Sequence, residues 1–153
     1  EWIEEPIALT SKDGLKYLKK NIKTKIAGYE LEQTFFGWEE LINAKVVDIA
    51  QPDAIWSGGI TECLKIIRLC KKRKIKFVPH NFASIVGLAA NAHLAALSNE
   101  KLLEIDSNEN PFLWTINRLN TYSLVNGFFN IPIEHLGLGI DINLSSINKY
   151  RVI

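Results

Sequence analysis

Gln51-Pro52-Asp53, then Gly58-Gly59, an amphipathic run to Lys74, and Phe77-Val78-Pro79-His80-Asn81 form the stretch whose reading decides the fold. It reads as a strand end, a glycine-rich turn, a helix and a second strand that closes on a histidine. An acid therefore stands at the tip of one strand and an imidazole at the tip of the next. Neighbouring parallel strand tips lie close together, so the pair predicts a proton-transfer site in which Asp53 fixes the tautomer of His80.

The same pattern recurs on either side. Trp2 to Glu5 predicts a strand closed by Pro6, whose nitrogen cannot donate to a ladder. The apolar spacing predicts a helix over 12–21, with Leu15 and Leu18 inward and Lys16, Lys19 and Lys20 outward. A strand over 25–27 leads to Glu30, a helix covers 37–43, and an apolar strand over 46–50 is interrupted by Asp48. Thr61 is the expected N-cap of a helix reaching Lys72, on which Cys63, Ile66, Ile67 and Cys70 share one stripe. A strand over 75–78, a nearly all-apolar helix over 85–96 and a short strand over 102–105 follow.

The polar residues at these strand tips are Glu4, Glu30, Asp53, His80 and Glu104, separated by 26, 23, 27 and 24 residues (30−4, 53−30, 80−53, 104−80). A βα unit takes about this length, since eight units fill roughly 250 residues. The expectation is an α/β chain, the C-terminal part of a (β/α)8 barrel, with about five parallel strands, covering helices and chemistry at the C-terminal strand ends. A flavodoxin-like open sheet is the alternative architecture. Five strands do not close eight, so about three are expected upstream, and Glu1-Trp2-Ile3 reads as a strand without a lead-in. Residues 1–121 are assigned to the barrel, as its strands 4 to 8. Residues 122–153, with strand-like pieces around Gly127, Pro132, Gly137 and Gly139, are expected to leave it and pack against a capping domain outside this sequence.

With 18 basic and 17 acidic residues among 153, the net charge of +1 gives no basic field to argue for nucleic acid. No apolar run approaches membrane-spanning length, and there is no signal-peptide layout. Cys63 and Cys70 lie two helical turns apart, too far to bridge, and read as buried reduced thiols suited to the cytoplasm. Glu4 and Glu30 on adjacent tips would repel unless a cation or a shared proton lies between them. Oxygen donors without Cys or His suit Mg²⁺, although either residue alone also reads as a solvated loop acid. Glu104 is an acid or a substrate anchor, and Asn81 and Trp56 stand where a pocket wall would be. Gly58-Gly59 lacks the remainder of a phosphate fingerprint and reads as a turn. His93 and His135 read as structural, and Lys71, Lys72 and Lys74 as a solvated helix end.

Taken together, Trp2-Ile3-Glu4-Glu5-Pro6, Ile26-Ala27-Gly28-Tyr29-Glu30, Gln51-Pro52-Asp53 with Gly58-Gly59, Pro79-His80 and Gly137-Leu138-Gly139 resemble the enolase superfamily. The likeness is greatest to its mandelate racemase subgroup, which includes acid-sugar dehydratases. The resemblance implies that Glu4 and Glu30 are the second and third metal ligands for Mg²⁺. It implies that Asp53 and His80 form the dyad, with His80 as general acid or base, and that Glu104 contacts the substrate carboxylate. A first Asp ligand, a Lys-containing base motif and the capping domain belong to stretches outside this sequence. Tyr29 stands where Gly is commoner and Leu136 where Pro often precedes Gly-Leu-Gly. The implied function is a Mg²⁺-dependent sugar-acid dehydratase, a hydro-lyase that removes an α-proton by way of an enediolate, with this chain as its C-terminal half. Racemisation or epimerisation is the alternative, and a non-catalytic barrel piece is a third reading. The implied partners are a sugar-acid substrate, the missing N-terminal half or a second chain, and further copies in a homo-oligomer. The isolated chain is expected to be inactive.

Overall fold

Four short parallel strands pair in sequence order in the computed structural model, which describes residues 1–108 and 110–152. They are β1 (Trp2–Glu4), β2 (Lys25–Gly28), β3 (Ile49–Ala50) and β4 (Lys76–Phe77), in registers such as Ile3 to Ile26, Ala27 to Ile49 and Ala50 to Phe77. Parallel neighbours need a crossover, and α1 (Lys12–Asn21), α2 (Thr34–Ala44) and α3 (Gly59–Arg73) supply the three; α4 (Ile85–Leu97) follows β4. Strand side chains alternate between faces. Ile26, Ala50 and Phe77 pack against the helices with Leu15, Trp38, Leu41 and Ile66, while Ala27, Ile49 and Val78 meet Trp2 in a separate cluster. Strands apolar on both faces are the mark of a covered parallel sheet.

Helix α1 matches its expected span. Helix α2 starts at Thr34 rather than at 37, because the carboxylate of Glu62, on α3, accepts from the Phe35 amide at 3.1 Å. That long-range bond satisfies a first-turn donor, which local sequence does not reveal. The expected cap of α3 is also corrected. Gly58 caps the helix in the left-handed region (φ 94°), Gly59 opens it at φ 86°, and Thr61 lies inside the first turn. The chain reverses sharply after the strand tip, with the Gly59 amide donating to Ala54 O at 2.8 Å, and glycine makes that turn at least cost.

Among the described residues the parallel sheet has four strands, not five. Residues 102–105 enter no ladder, because the outward amide of Phe77 on β4 is taken by Glu100 Oε2 at 3.3 Å, where a fifth strand's carbonyl would sit. Leu103 and Ile105 instead join a second core with Ile85, Leu88, Ala89, Leu113, Ile116 and Tyr122. Beyond a short α5 (Pro111–Trp114), β5 (Ser123–Val125) and β6 (Phe128–Asn130) form a hairpin about Asn126-Gly127, both at positive φ as a tight two-residue turn requires. A final helix, α6 (Leu144–Asn148), is capped by the Asn143 side chain. In the tail, Tyr122, Phe129, Leu138 and Ile140 join the core that includes α4. Among the described residues, no helix is long and apolar enough to cross a membrane.

Candidate active site

The C-terminal ends of the four strands bring the predicted polar residues together. His80, just beyond β4, is 8% exposed and places Nδ1 3.1 Å from Asp53 Oδ2 and Nε2 3.0 Å from Glu30 Oε2. One imidazole thus bridges acids from the two preceding strand tips. Glu4, at the end of β1, joins the same row through Gln51, whose Nε2 donates to Glu4 Oε2 at 2.8 Å. Glu104 comes from the segment after α4 and accepts from the Asn81 amide at 3.3 Å, adjacent to His80.

Asp53 is almost fully buried. Burial pushes its carboxyl up, but hydrogen bonds with His80, with Asn91 Nδ2 (2.9 Å) and with the Ile55 amide (2.9 Å) outweigh this and hold it below its ordinary value. The Asp53 bond holds His80 above its ordinary value against burial, aided by the charges of Glu104 and Glu30. Glu30 is raised by burial; the His80 charge pulls it down, and the carboxylates of Glu5, Glu4 and Asp53 push it up again. Glu104 is raised by burial too, with His80 and the Asn81 amide opposing and Glu4 and Glu30 reinforcing. Carboxyl groups thus outnumber the one imidazole at the mouth.

That surplus bears on whether a cation fits. Glu4 and Glu30 offer hard oxygen donors on adjacent strand tips, the set that Mg²⁺ takes together with waters. Among the described residues no group of three or more His, Cys, Asp or Glu is arranged to hold a metal ion, so these two carboxylates are a partial donor set. Two buried polar atoms at the same mouth, Gln51 Oε1 and Asn81 Nδ2, lack hydrogen-bond partners among the described residues.

Tyr29 does not enter the mouth. It sits in the left-handed region (φ 70°), its amide donates to Glu5 Oε1 at 3.0 Å, and its hydroxyl donates to Leu9 O at 2.8 Å within the main core. Leu136 is exposed in a turn closed by Gly137 and Gly139. Trp56 is exposed, His93 places Nδ1 2.8 Å from Ala89 O, and His135 lies beside Glu134. Sequence alone assigns no role to Asn91 or Gln51, although Asn91 is a lone amide in the apolar run of α4. A cavity of about 540 Å³ lies at the opposite end of the sheet, among Lys19, Lys25, Lys45, Arg73, Lys74 and Lys76. Helices α1, α2 and α3 end there, and cations at their carbonyl ends complement the helix dipoles.

A family model described as enolase C-terminal domain-like matches residues 1–146. The chain is 31% identical over 150 residues to arabinonate dehydratase of Saccharolobus solfataricus, covering 98% of this chain and 40% of that protein. It is 30% identical over 161 residues to D-galactarolactone cycloisomerase of Agrobacterium fabrum, covering 99% and 42%. Among solved structures it superposes on the 3,6-anhydro-D-galactonate cycloisomerase of Zobellia galactanivorans with a TM-score of 0.91 and 33% identity, covering 97% of this chain and 42% of that one. The chain thus spans about two fifths of the length of these relatives.

Proposed function

The chain belongs to the enolase C-terminal domain-like family, and from that premise we propose that it carries the acid–base dyad of a sugar-acid dehydratase. On this reading its four-stranded sheet is part of a (β/α)8 barrel, completed by strands outside the sequence. The observation that carries the proposal is the bridging of Asp53 and Glu30 by His80.

Glu4 and Glu30 would hold Mg²⁺, which when bound supplies positive charge to the carboxylate of the substrate as its α-carbon becomes electron-rich. Asp53 accepts from His80 Nδ1, which orients the ring and directs Nε2 into the mouth. Loss of the α-proton to a base leaves an electron pair that forms the Cα–Cβ double bond while the Cβ–O bond breaks. His80 Nε2–H gives its proton to the departing hydroxyl, which leaves as water, and the resulting enol becomes a 2-keto-3-deoxy acid. The raised affinity of His80 for its proton suits it to this acid role. Glu104, itself biased toward the protonated form, is placed to donate to a carboxylate of the substrate.

A second reading is favoured by two of the relatives, which are cycloisomerases. If the leaving β-oxygen belongs to a ring, the same proton transfers open that ring and no water is lost. The full protein incubated with sugar acids, their lactones and Mg²⁺ tests both readings by product mass. Loss of one water supports dehydration, unchanged mass with a new skeleton supports cycloisomerisation, and an epimer alone overturns both.

A further inference from the structure

We propose that Asn91, on α4, is the positioning residue of the His80–Asp53 pair. The inference rests on the acid–base reading above, and its geometry is independent of it. Asn91 is fully buried, and among the described residues of α4 it is the one polar side chain in a buried set of Ile85, Leu88, Ala89, Ala92, Leu94 and Ala95. A buried amide in such a helix is costly unless every one of its groups is paired.

Here every group is paired. Asn91 Oδ1 accepts from the Ala54 amide at 3.0 Å. Its two N–H groups face Asp53 Oδ1 at 2.9 Å and Asn81 Oδ1 at 3.4 Å. The amide can be oriented only one way, because rotating it would set its oxygen against two acceptor oxygens and its NH₂ against a donor. The three contacts fall on the chain after β3 and the chain after β4, immediately beside Asp53 and His80. Asn91 thus ties both strand tips to one helix. With Asp53 Oδ1 held by Asn91 and by the Ile55 amide, Oδ2 is left to His80 Nδ1. A side chain that touches no reacting group fixes which carboxylate oxygen meets the ring.

The test compares Asn91→Leu, which keeps the branched side-chain skeleton, is somewhat bulkier and deletes all three bonds, with Asn91→Ser, which is smaller and retains a donor. The expected result in the full protein is a fall in kcat of about 10- to 100-fold with KM little changed, the usual scale for a group that orients a partner of a reacting residue. Asn91→Ser should fall between wild type and Asn91→Leu. In parallel, the ring nitrogens of His80 are read by NMR in substrate-free protein. Wild type should show a hydrogen-bonded Nδ1–H signal, and that signal should be lost in Asn91→Leu. Retention of that signal in either folded variant at wild-type intensity, or an unchanged kcat, overturns the proposal. If Asn91→Leu does not fold, Asn91→Ser carries both readouts. The NMR arm needs no turnover, so failure to act on any sugar acid would sink the functional reading while leaving Asn91 tested.

Discussion

His80 Nε2 lies 3.0 Å from Glu30 Oε2, so the ring nitrogen opposite the Asp53 bond is already occupied by a carboxylate. A general acid needs that nitrogen turned toward a leaving oxygen. Glu30 is also one of the two carboxylates suited to a cation, and one oxygen cannot serve both fully. Adding Mg²⁺ should therefore raise the thermal midpoint of the protein and change the His80 Nε2 signal. Glu30→Gln should abolish both responses and reduce turnover by about 100-fold. A thermal shift of wild-type size in Glu30→Gln would remove Glu30 from the cation site.

Asp53 should control both rate and acid stability. Asp53→Asn keeps the shape but loses the charge that fixes the ring, and turnover should fall by about 10²- to 10⁴-fold. The folded carboxyl titrates below its ordinary value of 3.8, so its stabilisation is present above that value and is lost as pH falls through the folded pKa. Denaturant midpoints measured across this acid range should fall more steeply for wild type than for Asp53→Asn. Parallel curves would contradict the assigned direction.

Ser57 links two elements under the site. Trp38 Nε1 donates to Ser57 Oγ at 3.0 Å, and Ser57 Oγ donates to Glu32 O at 3.0 Å, with both side chains fully buried. Ser57→Ala strands an indole N–H and a carbonyl, and should cost about 2 kcal/mol in urea unfolding. A loss of under about 0.5 kcal/mol would show that water replaces the hydroxyl.

Cys63 and Cys70 should be inert in the folded protein. Burial, reinforced by Asp53 and Glu62 at Cys63 and by Glu100 at Cys70, pushes each thiol up to about 12. Alkylation by iodoacetamide should be negligible under native conditions and should appear on unfolding. Rapid native labelling would show that α3 opens locally.

Much of this was legible from residues alone. The alternation of strand and helix, the span of α1 and the common end of Glu4, Glu30, Asp53 and His80 all follow from local periodicity, which adjacent residues determine. What escaped depended on distant partners. The start of α2 was hidden because Glu62 supplies the needed acceptor from another helix. The missing fifth strand was hidden because the Glu100 side chain occupies the edge of β4. Nothing next to Asn91 in sequence marks its role, because only the folded chain brings Asp53 and Ala54 to it. The Asn126-Gly127 turn was different, since that dipeptide is itself a hairpin signal.

Lysines and an arginine gather with Asp48 around the far cavity and acids gather around His80 at the mouth, so the two ends of the sheet differ in charge. On the proposed reading, a sugar acid drifting toward the mouth meets repulsion from the Glu4 and Glu5 carboxylates, whereas a divalent ion is drawn in. On the proposed chemistry, charge alone then dictates order of arrival: cation first, acid second.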